Sequence, residues 1–329
     1  MNDVTRREPL DPELAAIVSA MRAANVPPPF SGSPEQARER MRKSIMAARE
    51  RTQLPVIGEV EDLTAESEGN RVPVRVYRPR NERGGLPTVI FFHGGGFVLG
   101  SVELMDDIAR KLCRDINAVV VSVDYRLAPE HPFPAAHEDA LIATRWAVRN
   151  AAMLGGDASR VAVAGESAGA NLATSAALSL RACGVRLAAQ LLIVPGVDMA
   201  RDVAPIAAKG VDFPMLSPSD LQDISRLYMG ALADRATQFP PSPLRAVDLH
   251  GMPATLIAVA GHDPLQDEGI AYAQRLKASN VPVQLLRFED MFHPFFGFFA
   301  ASHAANRAND TICHTFSLWL EQHALRRDQ

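Results

Sequence analysis

This sequence predicts an α/β fold: a doubly wound, mostly parallel sheet under a small helical cap. Three observations carry the prediction. Short apolar runs alternate with longer helical stretches from Val56 onward. The later runs are almost continuously apolar, as parallel strands covered on both faces must be. Segments rich in Ala, Arg, Glu and Met precede the first strand and read as helices. The length of 329 residues allows one large domain or two average ones. A composition of 47% hydrophobic and 22% charged residues, with 21 Gly and 24 Pro, is globular. It excludes disordered, collagen-like and disulfide-stapled classes.

The N-terminal stretch reads as two or three helices. Asp11–Ala24 and Ser33–Arg51 are split by Val26-Pro27-Pro28-Pro29, with Ser33 as an N-cap and Glu35-Gln36 in the first turn. Eight strands follow, at Val56–Glu61, Val72–Tyr77, Thr88–Phe92, Ala118–Val123, Val161–Gly165, Ala189–Val194, Ala254–Ala260 and Val283–Phe288. The first two alternate apolar and polar residues around a turn containing Gly69-Asn70, and read as an antiparallel pair at a sheet edge. Helices fall at Asp106–Asp115, Ala135–Asn150, Ala168–Ala182, Gln266–Ser279 and Ser302–Leu325. The stretch between Val194 and Ala254 exceeds what one crossover helix needs and includes a helical run at Ser219–Leu232. The expected division is a helical cap segment at 1–53 and a sheet domain at 54–329, with a cap contribution from about 198–235.

Charge and cysteine content narrow the partners. Lys and Arg total 34 against 38 Asp and Glu, a net of −4, so nucleic-acid binding is not expected. Cys113, Cys183 and Cys313 lie far apart and suggest neither a disulfide framework nor a zinc site. Asp3, Arg6, Arg7, Glu8, Asp11 and Glu13 interrupt any apolar signal core. The longest stretch free of charged residues, Gly84–Val102, contains Pro87, His93 and three consecutive glycines and cannot be a membrane helix. A cytoplasmic protein with no membrane partner is the expectation.

The sharpest chemical signal is Gly165-Glu166-Ser167-Ala168-Gly169, between the strand Val161–Gly165 and the helix Ala168–Ala182. A serine in so tight a strand-to-helix turn adopts a strained backbone, and glycine two residues to either side avoids clashes. The alternative is an ordinary Gly/Ser turn. The second signal is His93-Gly94-Gly95-Gly96-Phe97 after Val89–Phe92, where glycines let backbone N–H groups converge as an oxyanion hole requires. A phosphate loop is the competing reading, but neither nucleotide fingerprint can be written from these glycines. His93 reads as a brace for this loop.

Ser167 needs a base beyond the C-terminal end of a strand. Of nine histidines, His293 fits best, following Val283–Phe288. His262 flanks Asp263, while His303, His314 and His323 lie on the terminal helix; His131 and His137 read as structural. The orienting carboxylate should fall between Ser167 and His293 in chain order. Asp263 follows Ala254–Ala260 directly. Asp267 is the nearest rival, read instead as the cap of the next helix, and Glu268 as a first-turn residue.

Together these residues resemble the hormone-sensitive-lipase family of α/β-hydrolases, the bacterial family IV esterases. The matching pieces, in family order over about residues 70–320, are His93–Phe97, Asp124–Glu130, Gly165–Gly169, Asp263–Gly269 and His293. The resemblance implies an α/β-hydrolase fold for the sheet domain and a triad of Ser167, Asp263 and His293. It also implies an oxyanion hole from the N–H groups of Gly95, Gly96 and Ala168, and a structural role for Tyr125–Glu130. Glu166 stands where members more often carry Asp, Ala170 where many carry Gly, and Pro294 where Gly is usual.

The implied reaction is acyl transfer to water on a small-molecule ester, needing no metal and no organic cofactor. A carboxylesterase for short to medium acyl chains is favoured. An amidase, peptidase or lactonase would use the same triad. A lipase fits less well, with no membrane-binding helix in view. A receptor on a dead hydrolase scaffold is the non-enzymatic alternative. The resemblance leaves a homodimer open, since members are often dimers. Phe213, Met215, Leu216, Phe292, Phe295 and Phe296 could shape the pocket, with ordinary core packing the alternative for each.

Overall fold

The computed structural model describes residues 8–67, 69–80 and 84–325, so the charged residues Asp3, Arg6 and Arg7 noted in the sequence lie outside the described residues. Helix α1 spans Pro12–Ala23 and α2 Pro34–Arg49. The Asp11 side chain caps α1, accepting from the N–H groups of Glu13 and Leu14 at 3.1 Å. Ser33 caps α2 in a reciprocal pair with Gln36, so the cap expected at Ser33 is present. Proline opens both helices, where its missing N–H has no helical partner to lose.

The sheet comprises β1 (Glu59–Ser67), β2 (Asn70–Arg78), β3 (Leu86–Phe92), β4 (Val119–Val123), β5 (Gly156–Glu166), β6 (Ala189–Ile193), β7 (Ala254–His262) and β8 (Val283–Phe292). Their spatial order is β1-β2-β4-β3-β5-β6-β7-β8. β2 runs antiparallel to both β1 and β4, and all other neighbours are parallel. This is the eight-stranded α/β-hydrolase architecture expected.

The first strand departs from its expected bounds, starting later than Val56 and running to Ser67. Val56 is exposed, and β1 is held by charges that only its partner strand explains. Asp62 lies opposite Arg75 and bonds it at 2.6 and 2.8 Å, and Glu66 lies opposite Arg71 at 3.2 Å. Arg78 reaches Glu61 at 3.0 Å. Opposite charges directly across a ladder stabilise it, and an apolar-polar count along one strand cannot see them.

The remaining helices are α3 (Asp106–Ile116), α4 (Ala135–Asn150), α5 (Ala168–Ala182), α6 (Ala204–Ala208), α7 (Pro218–Met229), α8 (Gln266–Ala278) and α9 (His303–Gln322). Alternate strand residues enter two cores. Ile90, Phe92, Val121 and Val163 pack with α4, α5 and α8, while Val89, Phe91, Val120 and Ala164 pack with α1, α3 and α9. Burial of successive residues on opposite faces is why these strands read as continuous apolar runs. In the insertion, Ser217 and Asp220 cap α7, which stops at Gly230, in the left-handed region at φ 50°. Helix α7 and the N-terminal segment meet above the C-terminal ends of the strands. Ile224 of α7 and Phe30 both lie against Gly96. Among the described residues no helix is long and apolar enough to cross a membrane.

Candidate active site

The turn between β5 and α5 is built as its glycines require. Ser167 sits at φ 56°, ψ −118°, a conformation that costs a non-glycine residue roughly 1–3 kcal/mol. Its N–H donates to the Ile193 carbonyl at 2.8 Å, and its own carbonyl accepts from Ala170 at 3.0 Å, so the backbone is held from both sides. A β-carbon on Gly165 would lie 2.2 Å from the Gly169 carbonyl, and one on Gly169 would lie 2.0 Å from the Phe92 carbonyl oxygen. Both obstacles are backbone and cannot rotate away. Strand and helix pack closely enough to hold the strained serine only because neither glycine has a side chain.

Three side chains from far apart in the chain converge on this turn. His293 Nε2 lies 2.8 Å from Ser167 Oγ, and His293 Nδ1 lies 2.9 Å from Asp263 Oδ2. Ser167, Asp263 and His293 follow β5, β7 and β8 respectively. Asp263 and His293 are buried, and the second carboxylate oxygen of Asp263 accepts the Leu265 N–H at 2.8 Å. A carboxylate only accepts, so Nδ1 carries the imidazole proton and Nε2 presents a lone pair to the serine hydroxyl. This arrangement can remove a proton from Ser167 and hold the resulting imidazolium against a buried carboxylate.

The glycine loop lies beside the serine. Gly95 and Gly96 have φ of 120° and 61°, and the Gly95 carbonyl is tied to the N–H groups of Val98 and Leu99 at 3.1 and 2.8 Å. His93 braces the loop, as its place before the glycines suggests. Its ring stacks on Tyr125 at 4.3 Å, Nδ1 donates to the Gly94 carbonyl at 2.7 Å, and the Tyr125 hydroxyl donates to the His93 carbonyl at 2.8 Å. Burial pushes the His93 ring toward its neutral form. From α2, Arg38 donates to the Val98 carbonyl at 2.8 Å and to both oxygens of Glu130 at 2.7 Å, joining the N-terminal segment to the flank of the loop. Ala168, the third expected donor, is the first residue of α5, where backbone N–H groups favour negative charge.

Other residues singled out in the sequence go elsewhere. His137 is buried between the Tyr228 hydroxyl at 2.6 Å and Asn171 Oδ1 at 3.0 Å, and burial pushes its pKa down to about 4. It pins α4 to α5 and α7. His262 Nε2 donates to the Glu8 carbonyl at 3.0 Å, and His303 pairs with Glu13 at 2.8 Å.

Two expectations need correction. Asp267 caps nothing; it lies in the first turn of α8, exposed, and pairs with Lys209 at 2.8 Å. The chain is already turned by Asp263 accepting the Leu265 N–H, which leaves no cap for Asp267 to supply. Phe292, Phe295 and Phe296 do not line a pocket. All three are fully buried in the core shared with α3 and α9.

The sequence gives no hint of a buried charge network. Glu268, expected only as a first-turn residue, bonds Arg201 at 2.9 Å and accepts the Asp198 N–H at 2.6 Å, and Asp198 pairs with Arg245 at 2.7 Å. Arg201 and Glu268 side chains are each 9% exposed, so both charges depend on one another. No local signal could match partners from the insertion to the first turn of α8.

Residues 89–297 match the family model described as the alpha/beta hydrolase fold. The chain is 35% identical to the esterase LipI of Mycobacterium tuberculosis over 314 residues, covering 94% of this chain and 95% of that one. It is 41% identical to the carboxylesterase NlhH of the same organism over 253 residues, covering 76% and 79%. Among solved structures, the hyperthermophilic esterase of the archaeon Pyrobaculum calidifontis superposes with a TM-score of 0.87 at 37% identity, covering 94% of this chain and 99% of that one.

Proposed function

The chain belongs to the α/β-hydrolase family, as a hormone-sensitive-lipase-type carboxylesterase, and from that premise we propose that it hydrolyses short- to medium-chain esters through an acyl-enzyme on Ser167. The observation that carries this reading is the continuous pair of contacts from Ser167 Oγ to His293 at 2.8 Å and from His293 to Asp263 at 2.9 Å. His293 takes the hydroxyl proton as Oγ attacks the ester carbonyl, and Asp263 fixes the tautomer and stabilises the imidazolium. The N–H groups of Gly95, Gly96 and Ala168 receive the oxyanion. His293 then protonates the leaving alcohol, and water repeats the cycle to release the acid.

The same reading assigns residues 1–53 and about 198–235 to a cap over the sheet domain. Ile224 and Phe30 against Gly96 support it, because together they roof the loop that would hold the ester carbonyl. A reducing, cytoplasmic setting accords with three cysteines, Cys113, Cys183 and Cys313, spread far apart along the chain.

The test is covalent labelling by a fluorophosphonate together with a panel of p-nitrophenyl esters from acetate upward. The label goes to Ser167, turnover peaks at short or medium chains, and Ser167→Ala loses both. Labelling elsewhere, or a peak at long chains, overturns the proposal.

A further inference from the structure

The residue before the candidate nucleophile carries a second ionisable group that the reaction above does not use. Glu166 ends β5 and is only 5% exposed. Its Oε1 is buried and has no hydrogen-bond partner among the described residues. Its Oε2 lies beneath the glycine loop, 3.3 Å from where a β-carbon on Gly94 would stand. Here the sequence has Glu where the resembled family more often has Asp, so the carboxyl reaches one methylene further. An ionised carboxylate with a bare, buried oxygen is strongly disfavoured.

We propose that Glu166 is a positioning residue: it keeps a proton beneath the glycine loop in the resting enzyme, and its charge state sets the basicity of His293 and the field at the oxyanion site. This inference rests on the Ser167–His293 reading above. The groups facing the carboxyl account for the proton. Burial dominates and pushes the Glu166 pKa up to about 7; the His293 ring lowers it, while Asp107 of α3 and Asp263 raise it further. Asp107 is engaged by Arg49 of α2 at 3.6 Å. Tyr125 and His93 stand on the loop side, and burial keeps both neutral. The Glu166 carboxyl is therefore close enough to the His293 ring for each to feel the other's charge.

The chemistry that follows is a proton equilibrium with solvent. While Glu166 is neutral, it adds no negative charge against the oxyanion that develops beside the loop. When it ionises, its proton goes to water; the new negative charge favours the imidazolium of His293 and opposes the oxyanion. A neutral amide at the same position removes both effects.

Two measurements test this. In the first, kcat/KM for a short-chain ethyl ester is followed by pH-stat across the neutral range. Glu166→Gln is expected to move the ascending limb to lower pH by about one unit and to collapse two ionisations into one. Glu166→Asp, which keeps an acid, is expected to return the second ionisation. A residue that merely packs would leave the limb where it is, so a limb superimposing on that of the unaltered enzyme, or one moving to higher pH, overturns the proposal.

The second measurement needs no turnover. Infrared difference spectra of the unaltered protein should show a carboxylic-acid C=O band lost near pH 7 and absent from Glu166→Gln. The band should persist to higher pH once Ser167 carries a phosphonate with a negative oxygen. A band lost in the ordinary carboxyl range, about pH 4–5, refutes the proton beneath the loop. If no ester were turned over, the function assigned to Ser167 would fail, while the infrared result would still decide the state of Glu166. If Glu166→Gln failed to fold, Glu166→Asp and the unaltered protein would still decide between the two outcomes.

Discussion

Replacing Gly96 by alanine, alone and together with Ile224→Ala, tests whether α7 bears directly on the loop that would hold the oxyanion. Gly96 has φ 61°, so an alanine there costs roughly 1–2 kcal/mol for left-handed backbone. Its β-carbon would also stand 2.7 Å from both Cδ1 and Cγ1 of Ile224 and 3.1 Å from Phe30. Overpacking of that kind costs about 1–3 kcal/mol and pushes either the roof or the loop aside. A displaced Gly96 N–H would lower kcat by about 10²–10³, the usual effect of losing one oxyanion donor. Ile224→Ala removes the two nearest colliding atoms and leaves the backbone strain and the Phe30 contact at 3.1 Å. The double variant should therefore recover part of the loss, with a coupling of about 1–2 kcal/mol, or roughly 5- to 30-fold in kcat/KM. The assay is a double-mutant cycle in kcat/KM, run below the unfolding temperature of the least stable variant. Effects that add to within about 0.5 kcal/mol would mean that α7 does not press on the loop, and would remove the support for a cap there.

Three further outcomes are expected. Asp263→Asn should lower kcat by about 10⁴ with little change in KM, measured by steady-state kinetics, because the amide no longer fixes the tautomer that presents Nε2 to Ser167. Arg201→Met should strand the buried Glu268 carboxylate at a cost of about 3–5 kcal/mol, lowering Tm by roughly 10 °C in thermal unfolding. Glu166→Gln should stabilise the fold at pH 8 and much less at pH 4. The Glu166 pKa rises on folding from an ordinary 4.5 to about 7, so folded-state stability is full below 4.5 and is lost as pH rises through about 7. The difference amounts to at most about 3 kcal/mol, read from denaturant unfolding at the two pH values.

Much of the fold is legible because its boundaries are marked locally. The bounds expected for Ala135–Asn150 and Ala168–Ala182 hold to the residue, the one following Pro134 and the other set by the glycines around Ser167. The parallel strands declare themselves by unbroken apolar runs. Strand β1 does not, because its acidic residues are answered by arginines on β2. At the candidate site, Ser167, Asp263 and His293 can be chosen by chain order and strand ends, and those three side chains are the ones brought together. Asp267 and the aromatic residues around His293 mislead for a common reason. A local window shows a residue's type but not the direction of its side chain, and Phe295 and Phe296 turn back into the core. The Arg201–Glu268 pair and the buried oxygen of Glu166 depend on neighbours that sequence separation hides.

The acidic outer strand has a consequence for life in a crowded solution. An uncapped sheet margin is a template onto which other chains can add, and partial unfolding on warming usually begins such growth. Here Glu59, Asp62 and Glu66 face solvent along β1, and an incoming strand would have to strip water from them and displace the arginines that already answer them. Aggregation on heating should therefore begin elsewhere on the molecule, and exchanging these acids for threonine should make this margin its starting point.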